Sequence, residues 1–291
     1  MYPPNLHTWY FKLSNTLTNF GEGLYNIILQ RLKCTIPHID DTPPLSPVEE
    51  KHCLLGIGSE FHQVHIDYLL NKGYVLHVWG FGNGKSDLPP VDMRIPRYRN
   101  NIHIYAVRGP ITKQSLQMEE DIHTCDPGFT LPLLIGNEIL TSVFFHRKVV
   151  YAPHHLMVNK VSYKDIRSLQ QVEMYISTEC SYDNLFTTMK KLRTAKFVLT
   201  SAMHVMIFCL AFRVPCALCL LPDEPLNMPT KWRDMFGSLN YYPKTLPIVR
   251  NFKQGKRWWD EEGRFLPLPD AQKMLDLFPF KNYDYYTSAC K

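Results

Sequence analysis

Arg108 closes a β-rich run that begins at Ile102, and Gly109, Pro110, Ile111 and Thr112 follow it directly. Glycine before a helix and proline in its first turn are helix-opening signals. The guanidinium is therefore expected at a strand end beside free backbone N–H groups, a setting that holds a phosphate or carboxylate. An arginine paired with a neighbouring acid for purely structural reasons occupies the same kind of position. The pattern repeats at Lys196–Leu199, a short run followed by Thr200 and Ser201 in capping positions and by His204 in the first turn of an apolar helix. There the helix dipole opposes protonation of the imidazole while a bound anion favours it, which suits a proton donor that charges when substrate arrives. A histidine satisfied within the core is the plainer alternative.

Further candidates lie at other element ends. Asn19, Gly21 and Glu22 open an amphipathic helix with apolar positions Leu24, Ile27, Ile28 and Leu32. A carboxylate in that first turn serves the dipole or acts as a base. Gly56, Gly58 and Ser59 follow one apolar run and Gly80, Gly82 and Gly84 another, permitting close backbone approach to a ligand. The second set lacks the third glycine and the downstream acid of a dinucleotide fingerprint, so no nicotinamide cofactor is expected. His154 and His155 end a further strand without a third ligand at supporting spacing, so no metal is expected either.

Positioning these groups requires strands that end together. Short apolar runs predict strands near Cys53–Ile57, Val75–Val78, Ile102–Val107, Lys148–Ala152, Val172–Ile176, Phe197–Leu199 and Val214–Leu220. Helices fit at Glu22–Leu32, Gln63–Asn71, Pro110–Met118, Tyr182–Thr194 and Ala202–Phe212. Stretches rich in proline or charge at His38–Lys51, Asp87–Arg99 and Pro222–Thr230 are expected as surface loops. Alternation of strand and helix predicts an α/β fold of two Rossmann-like domains, divided near Leu133–Arg147, that face each other across a ligand cleft. The first would span residues 1–145 and the second 146–264.

A chain of 291 residues with 45% hydrophobic content buries a substantial core, and a net charge of +5 without any basic run points to a small anion rather than nucleic acid. Aromatic residues at 13% offer stacking faces for a carbohydrate as well as core filling. The eight cysteines lack the spacing of a disulfide framework, and Cys216 and Cys219 sit in an apolar run that would turn them to opposite faces of a strand. With no signal-like start and no membrane-length apolar stretch, a cytoplasmic protein without integral membrane contact is expected.

Taken in order, these segments resemble the polysaccharide pyruvyl transferase family from about Asn19 to about Pro215. Asn19, Gly21 and Glu22 are similar to its N-x-G-D opening, with glutamate for aspartate. Val78, Trp79, Gly80, Phe81 and Gly82 resemble its W-G-x-G loop, and Ala106–Thr112 its A-V-R-G-P-x-T segment. Asp126, Pro127, Gly128, Leu131 and Pro132 are similar to its D-P-x-x-L-L-P turn, Pro153 and His154 to its P-H strand end, and Ser201–His204 to its S-R-L-H helix start. The resemblance implies a GT-B-like fold, with phosphoenolpyruvate as donor, a terminal hexose of a glycan as acceptor, and Arg108 and His204 at the donor. The acceptor side would be the first domain, with room for residues 265–291 to complete it, and the donor side the second. Expected site residues are His204, Arg108 and Glu22 for catalysis, and Asn19, Gly21, Gly58, Ser59, Gly80, Gly82, His154, Thr200 and Ser201 for binding. Ala202 and Val205 stand where the family has arginine and glycine, and Lys196, Arg213 or Lys231 are the cations available to compensate. The alternatives are a glycosyltransferase using a nucleotide sugar and an inactive relative that binds glycan.

Overall fold

The computed structural model describes residues 5–10, 13–14, 17–41, 50–118, 120–140 and 148–281. Its strands are β1 (Leu6–Trp9), β2 (Leu17–Asn19), β3 (Lys51–Leu55), β4 (Tyr74–Trp79), β5 (Ile102–Val107), β6 (His123–Thr124), β7 (Val149–Ala152), β8 (Met174–Tyr175), β9 (Glu179–Ser181), β10 (Phe197–Thr200) and β11 (Cys216–Leu218). The helices are α1 (Phe20–Arg31), α2 (Gln63–Asn71), α3 (Pro96–Asn101), α4 (Pro110–Ser115), α5 (Leu131–Leu140), α6 (Tyr163–Ser168), α7 (Tyr182–Arg193), α8 (Met203–Ala211), α9 (Pro229–Ser238), α10 (Phe252–Glu261) and α11 (Ala271–Asp276).

Two parallel sheets carry the α/β architecture, one in the order β1-β3-β4-β5-β6 and one in the order β11-β10-β7-β8. In the second sheet β7, β10 and β11 are buried along their length, as strands covered on both faces must be. The first sheet sorts its faces by alternation: Leu76 and Val78 of β4 join an apolar cluster that also holds Ile66 and Leu69 of α2, whereas Trp79 joins a larger core that includes Leu54, Tyr151, Leu199 and Phe208.

Pairing between distant parts of the chain was not expected from local pattern. β2 lies antiparallel to β9, with Leu17 opposite Ser181 and Asn19 opposite Glu179, and the Phe20 N–H donates to the Thr178 carbonyl at 2.8 Å. This seats α1 on α5, α7 and α8, and the Phe20 ring meets Phe208 edge-on at 5.7 Å. Later residues return to the first sheet: Trp79 Nε1 donates to the Met274 carbonyl at 2.9 Å, and Phe278 and Phe280 each place a ring 4.8 Å from Trp79 and His77 respectively.

Some expectations need correction. The stretch from Leu133 begins inside α5, and residues 141–147, with the expected 145/146 boundary, lie outside the described residues. Asp87–Arg99 and Pro222–Thr230 are not wholly loop, because Pro96 and Pro229 open α3 and α9 within them. Part of His38–Lys51 also lies outside the described residues. Every described cysteine is a free, buried thiol, Cys216 and Cys219 among them; Cys290 is not among the described residues. No described helix is long and apolar enough to cross a membrane.

Candidate functional site

A cavity of about 510 Å³ opens at the carboxyl ends of strands from both sheets. Gly58, Ser59 and Glu60 reach it after β3, His154 and His155 after β7, and Ala202 to Val205 after β10. The starts of α1 and α9 complete the lining through Asn19, Gly21, Glu22, Met228 and Lys231.

The three helix starts differ in how their amides are satisfied. Asn19 caps α1, its Oδ1 accepting from the N–H groups of Gly21 at 2.9 Å and Glu22 at 3.2 Å. The cap position of α8 is Ala202, with no side-chain acceptor. Thr200 and Ser201, expected as caps, are engaged behind the lining: Thr200 Oγ1 donates to the Ala152 carbonyl at 2.6 Å and accepts from the Ala202 N–H at 3.0 Å, while Ser201 Oγ accepts from the His154 N–H at 2.8 Å. They tie β7 to β10 instead. Met228 starts α9 in a left-handed conformation, φ 50°, also without a side-chain cap.

His204 occupies the first turn of α8 with its ring laid on the opening backbone of α1. Any side-chain carbon at Gly21 would overlap that ring, so glycine there is a requirement of close approach. Across the ring, His204 Nε2 stands 3.5 Å from Asp126 Oδ2, and neither buried atom has a hydrogen-bond partner among the described residues. Asp126 is held by its other oxygen, which accepts from the Gly128 N–H at 2.8 Å and caps the turn Pro127–Thr130. The sequence marked Asp126 only as part of a turn; its place beside His204 depends on packing between that turn and α8.

Glu22 faces the same cavity at 7% exposure, with Oε2 lacking a described partner. Burial pushes its pKa up from 4.5 to about 7, against the opposing pull of His204, its own backbone N–H and Lys231, with Asp126 adding to the rise. His154 is less suited to proton transfer. Its Nδ1 accepts from the Leu156 N–H at 3.4 Å and its Nε2 lies 3.1 Å from Asn227 Nδ2, and burial, then Lys231, His155 and His204, push its pKa down to about 2.

Arg108 does not line the cavity. It is 0% exposed and its donors are engaged: Nε by Asp234 at 3.2 Å, one terminal nitrogen by the Gly58 carbonyl at 3.1 Å and Ser59 Oγ at 2.6 Å, the other by the Asn83 carbonyl at 2.7 Å. The expected strand-end clamp is thus a buried bracket that fixes the loops after β3 and β4 against α9. Gly82 lies under its guanidinium, and Gly80, with φ 90°, packs on Pro127; neither reaches the cavity.

Of the cations considered for compensation, Lys231 lines the cavity, whereas Lys196 is exposed at the start of β10 and Arg213 donates to the Leu266 carbonyl at 3.1 Å. Lys231 is 6% exposed and its pKa is pushed down to about 8 by burial and then Arg108, against Glu22 and Glu60. Also in the lining, Trp9 rests on His65 with ring centres 4.1 Å apart, and Lys85 pairs with Glu60 at 3.0 Å. The described residues contain no cluster of three or more metal-ligating side chains.

A family model described as polysaccharide pyruvyl transferase matches residues 19–223 of the chain. No curated protein matches it significantly. Among solved structures, a functionally uncharacterized protein of Klebsiella pneumoniae is similar at a TM-score of 0.47 and 16% identity, over 84% of this chain and 92% of that one.

Proposed function

The chain belongs to the polysaccharide pyruvyl transferase family, and from that premise we propose that it moves the enolpyruvyl group of phosphoenolpyruvate onto two hydroxyls of a glycan sugar, forming a pyruvate ketal. The observation that carries this reading is the meeting of His204 and Glu22, from α8 and α1, in one cavity beside unengaged helix amides. In this reading the cavity is the cleft of a GT-B-like pair of Rossmann-like domains, with the acceptor toward residues 1–145 and the donor toward 146–264.

Ketal formation needs one proton delivered and two removed. Protonated His204, steadied by Asp126 at 3.5 Å, gives its proton to the methylene carbon of the enol. The adjacent carbon becomes cation-like and is attacked by the first sugar hydroxyl, whose proton passes to Glu22. Phosphate then departs with the bonding electron pair, a second oxocarbenium forms, and the second hydroxyl closes the ring as its proton leaves with phosphate or returns His204 to its charged state. A carboxylate with a pKa of about 7 is matched to proton transfer near neutrality, and we assign the base role to Glu22 over His154 because burial makes the latter a weak base and its ring nitrogens are hydrogen-bonded. Arg108 acts as a positioning residue through Ser59 and Asp234.

Calorimetric titration with phosphoenolpyruvate, beside a panel of nucleotide sugars and with or without EDTA, tests the reading. Phosphoenolpyruvate binding in the micromolar to millimolar range, unchanged by EDTA, followed by ketal formation on an acceptor glycan, is expected, with His204→Ala abolishing turnover at little cost in stability. Binding of a nucleotide sugar in its place would indicate a glycosyltransferase. Glycan binding without any donor would indicate an inactive relative, the reading that Ala202 favours.

A further inference from the structure

The first sheet gives the cavity wall an aromatic side chain that the proton chemistry does not use. Trp9 ends β1, which runs parallel to β3 with Trp9 opposite Leu55. Its ring therefore stands at the same sheet end as Gly58 and Ser59, which also line the cavity. The chain's other four tryptophans, Trp79, Trp232, Trp258 and Trp259, are buried, whereas Trp9 stays partly open where it borders the cavity. It also precedes residue 19, where the match to the family model begins.

The indole is held in place. His65 of α2 lies against it, and Phe81 meets it edge-on with ring centres 6.0 Å apart. Burial, opposed by Glu60 and reinforced by His62 and Lys85, pushes the His65 pKa down to about 4. A neutral imidazole therefore backs the indole near neutral pH, and the two supports fix the ring plane before any ligand arrives. Polar groups share this wall. Glu60 uses one oxygen, Oε2, for both His62 at 2.6 Å and Lys85 at 3.0 Å, so Oε1 is left to accept. Ser59 Oγ accepts from Arg108 at 2.6 Å, which leaves its O–H to donate. Because Glu60 and Lys85 offset each other, the wall has hydrogen-bonding capacity without a net charge.

We propose that Trp9, backed by His65, is a stacking platform for one uncharged pyranose ring of the acceptor, whose hydroxyls are read by Glu60 Oε1, Lys85 Nζ and the Ser59 hydroxyl. The C–H groups on one face of a pyranose carry partial positive charge and suit the negative face of an indole. Hydroxyls around the ring edge, each donor and acceptor, suit the mixed polar set. A sugar acid would bring a second carboxylate to Glu60, and a nucleotide would bring its phosphates there. Calling the ring part of an acceptor rests on the transferase reading; the platform itself stands on the open indole and its polar neighbours.

The test is ligand-observed NMR on the intact chain with the methyl glycosides of glucose, galactose, mannose and glucuronic acid, and with uridine. It compares the wild type with Trp9→Phe, Trp9→Leu and Glu60→Gln. The wild type is expected to bind at least one neutral glycoside. Trp9→Leu, which fills the space without an aromatic face, should weaken that binding roughly 3- to 10-fold, the worth of one aromatic contact. Trp9→Phe should weaken it less, and Glu60→Gln roughly 10-fold, the worth of a charged hydrogen bond. Binding by Trp9→Leu equal to the wild type overturns the platform while leaving the transferase reading in place, as does a Trp9→Phe no better than Trp9→Leu. Glucuronide bound as tightly as any neutral glycoside, uridine bound in place of them all, or no glycoside bound each overturns the uncharged-sugar occupant. A neutral glycoside bound by the wild type and weakened in Trp9→Leu, yet never converted to a ketal with phosphoenolpyruvate, supports the platform and overturns the transferase reading.

Discussion

Burial moves the titrations of Glu22 and Lys231 toward neutrality from opposite sides, and stability should record it. The Glu22 pKa rises from 4.5 to about 7 on folding, so its contribution is fully present below pH 4.5 and is lost as pH rises through 7, a swing of about 3 kcal/mol. Denaturant unfolding of Glu22→Gln should match the wild type near pH 4.5 and exceed it by up to about 3 kcal/mol at pH 8, with turnover lost. Lys231 is the converse: its pKa falls from 10.5 to about 8, so its contribution is present above pH 10.5 and lost as pH falls through 8. At pH 7 Lys231→Met should therefore be more stable than the wild type by about 3 kcal/mol. At this scale the sequence was informative where chemistry is local. Asn19, Gly21, Glu22 and His204 announce themselves by following strands and opening helices. Arg108 misled because its partner, Asp234, is 126 residues away, and Lys231 gave no local sign because burial of an amine is decided by what packs over it.

At the scale of elements, α8 forgoes a cap that a single substitution would restore. Ala202→Asp should raise stability by about 0.5–2 kcal/mol, since its carboxylate would cap the opening amides of α8; thermal unfolding checks it. α1 makes the opposite argument. Alanine at Gly21 improves intrinsic helix propensity by about 1 kcal/mol, yet its methyl would overlap the His204 ring, so Gly21→Ala should cut kcat sharply through a displaced imidazole while the fold persists by circular dichroism. Buried parallel strands such as β4, β7 and β10 were legible because their apolar runs have no other use. β1, β2 and β9 were not, because Leu6–Trp9, Leu17–Asn19 and Glu179–Ser181 mix polar and apolar residues without a continuous apolar run; α9 opens inside a stretch that read as loop, and α10 and α11 lie where no element was expected.

Across the whole molecule, the buried bracket of Arg108, Asp234 and Thr112 joins α9 to β5 and α4. Removing one partner strands a charge in the interior, so Asp234→Ala or Arg108→Met should cost about 3–5 kcal/mol, read as a fall in the denaturant midpoint, with loss of the cavity as a secondary effect. The parallel α/β character was legible from alternating strand and helix patterns; the ladder between β2 and β9 and the return of residues 274–280 to the first sheet were not, because pairing over such separations leaves no periodic mark. Those long closures also govern how the protein comes into being on the ribosome. Trp79 must wait for Met274, 195 residues downstream, which at the pace of translation is roughly 10–40 s. Through that interval the emerging chain carries bare aromatic surface and no assembled cavity, so chaperones would meet it before any substrate does.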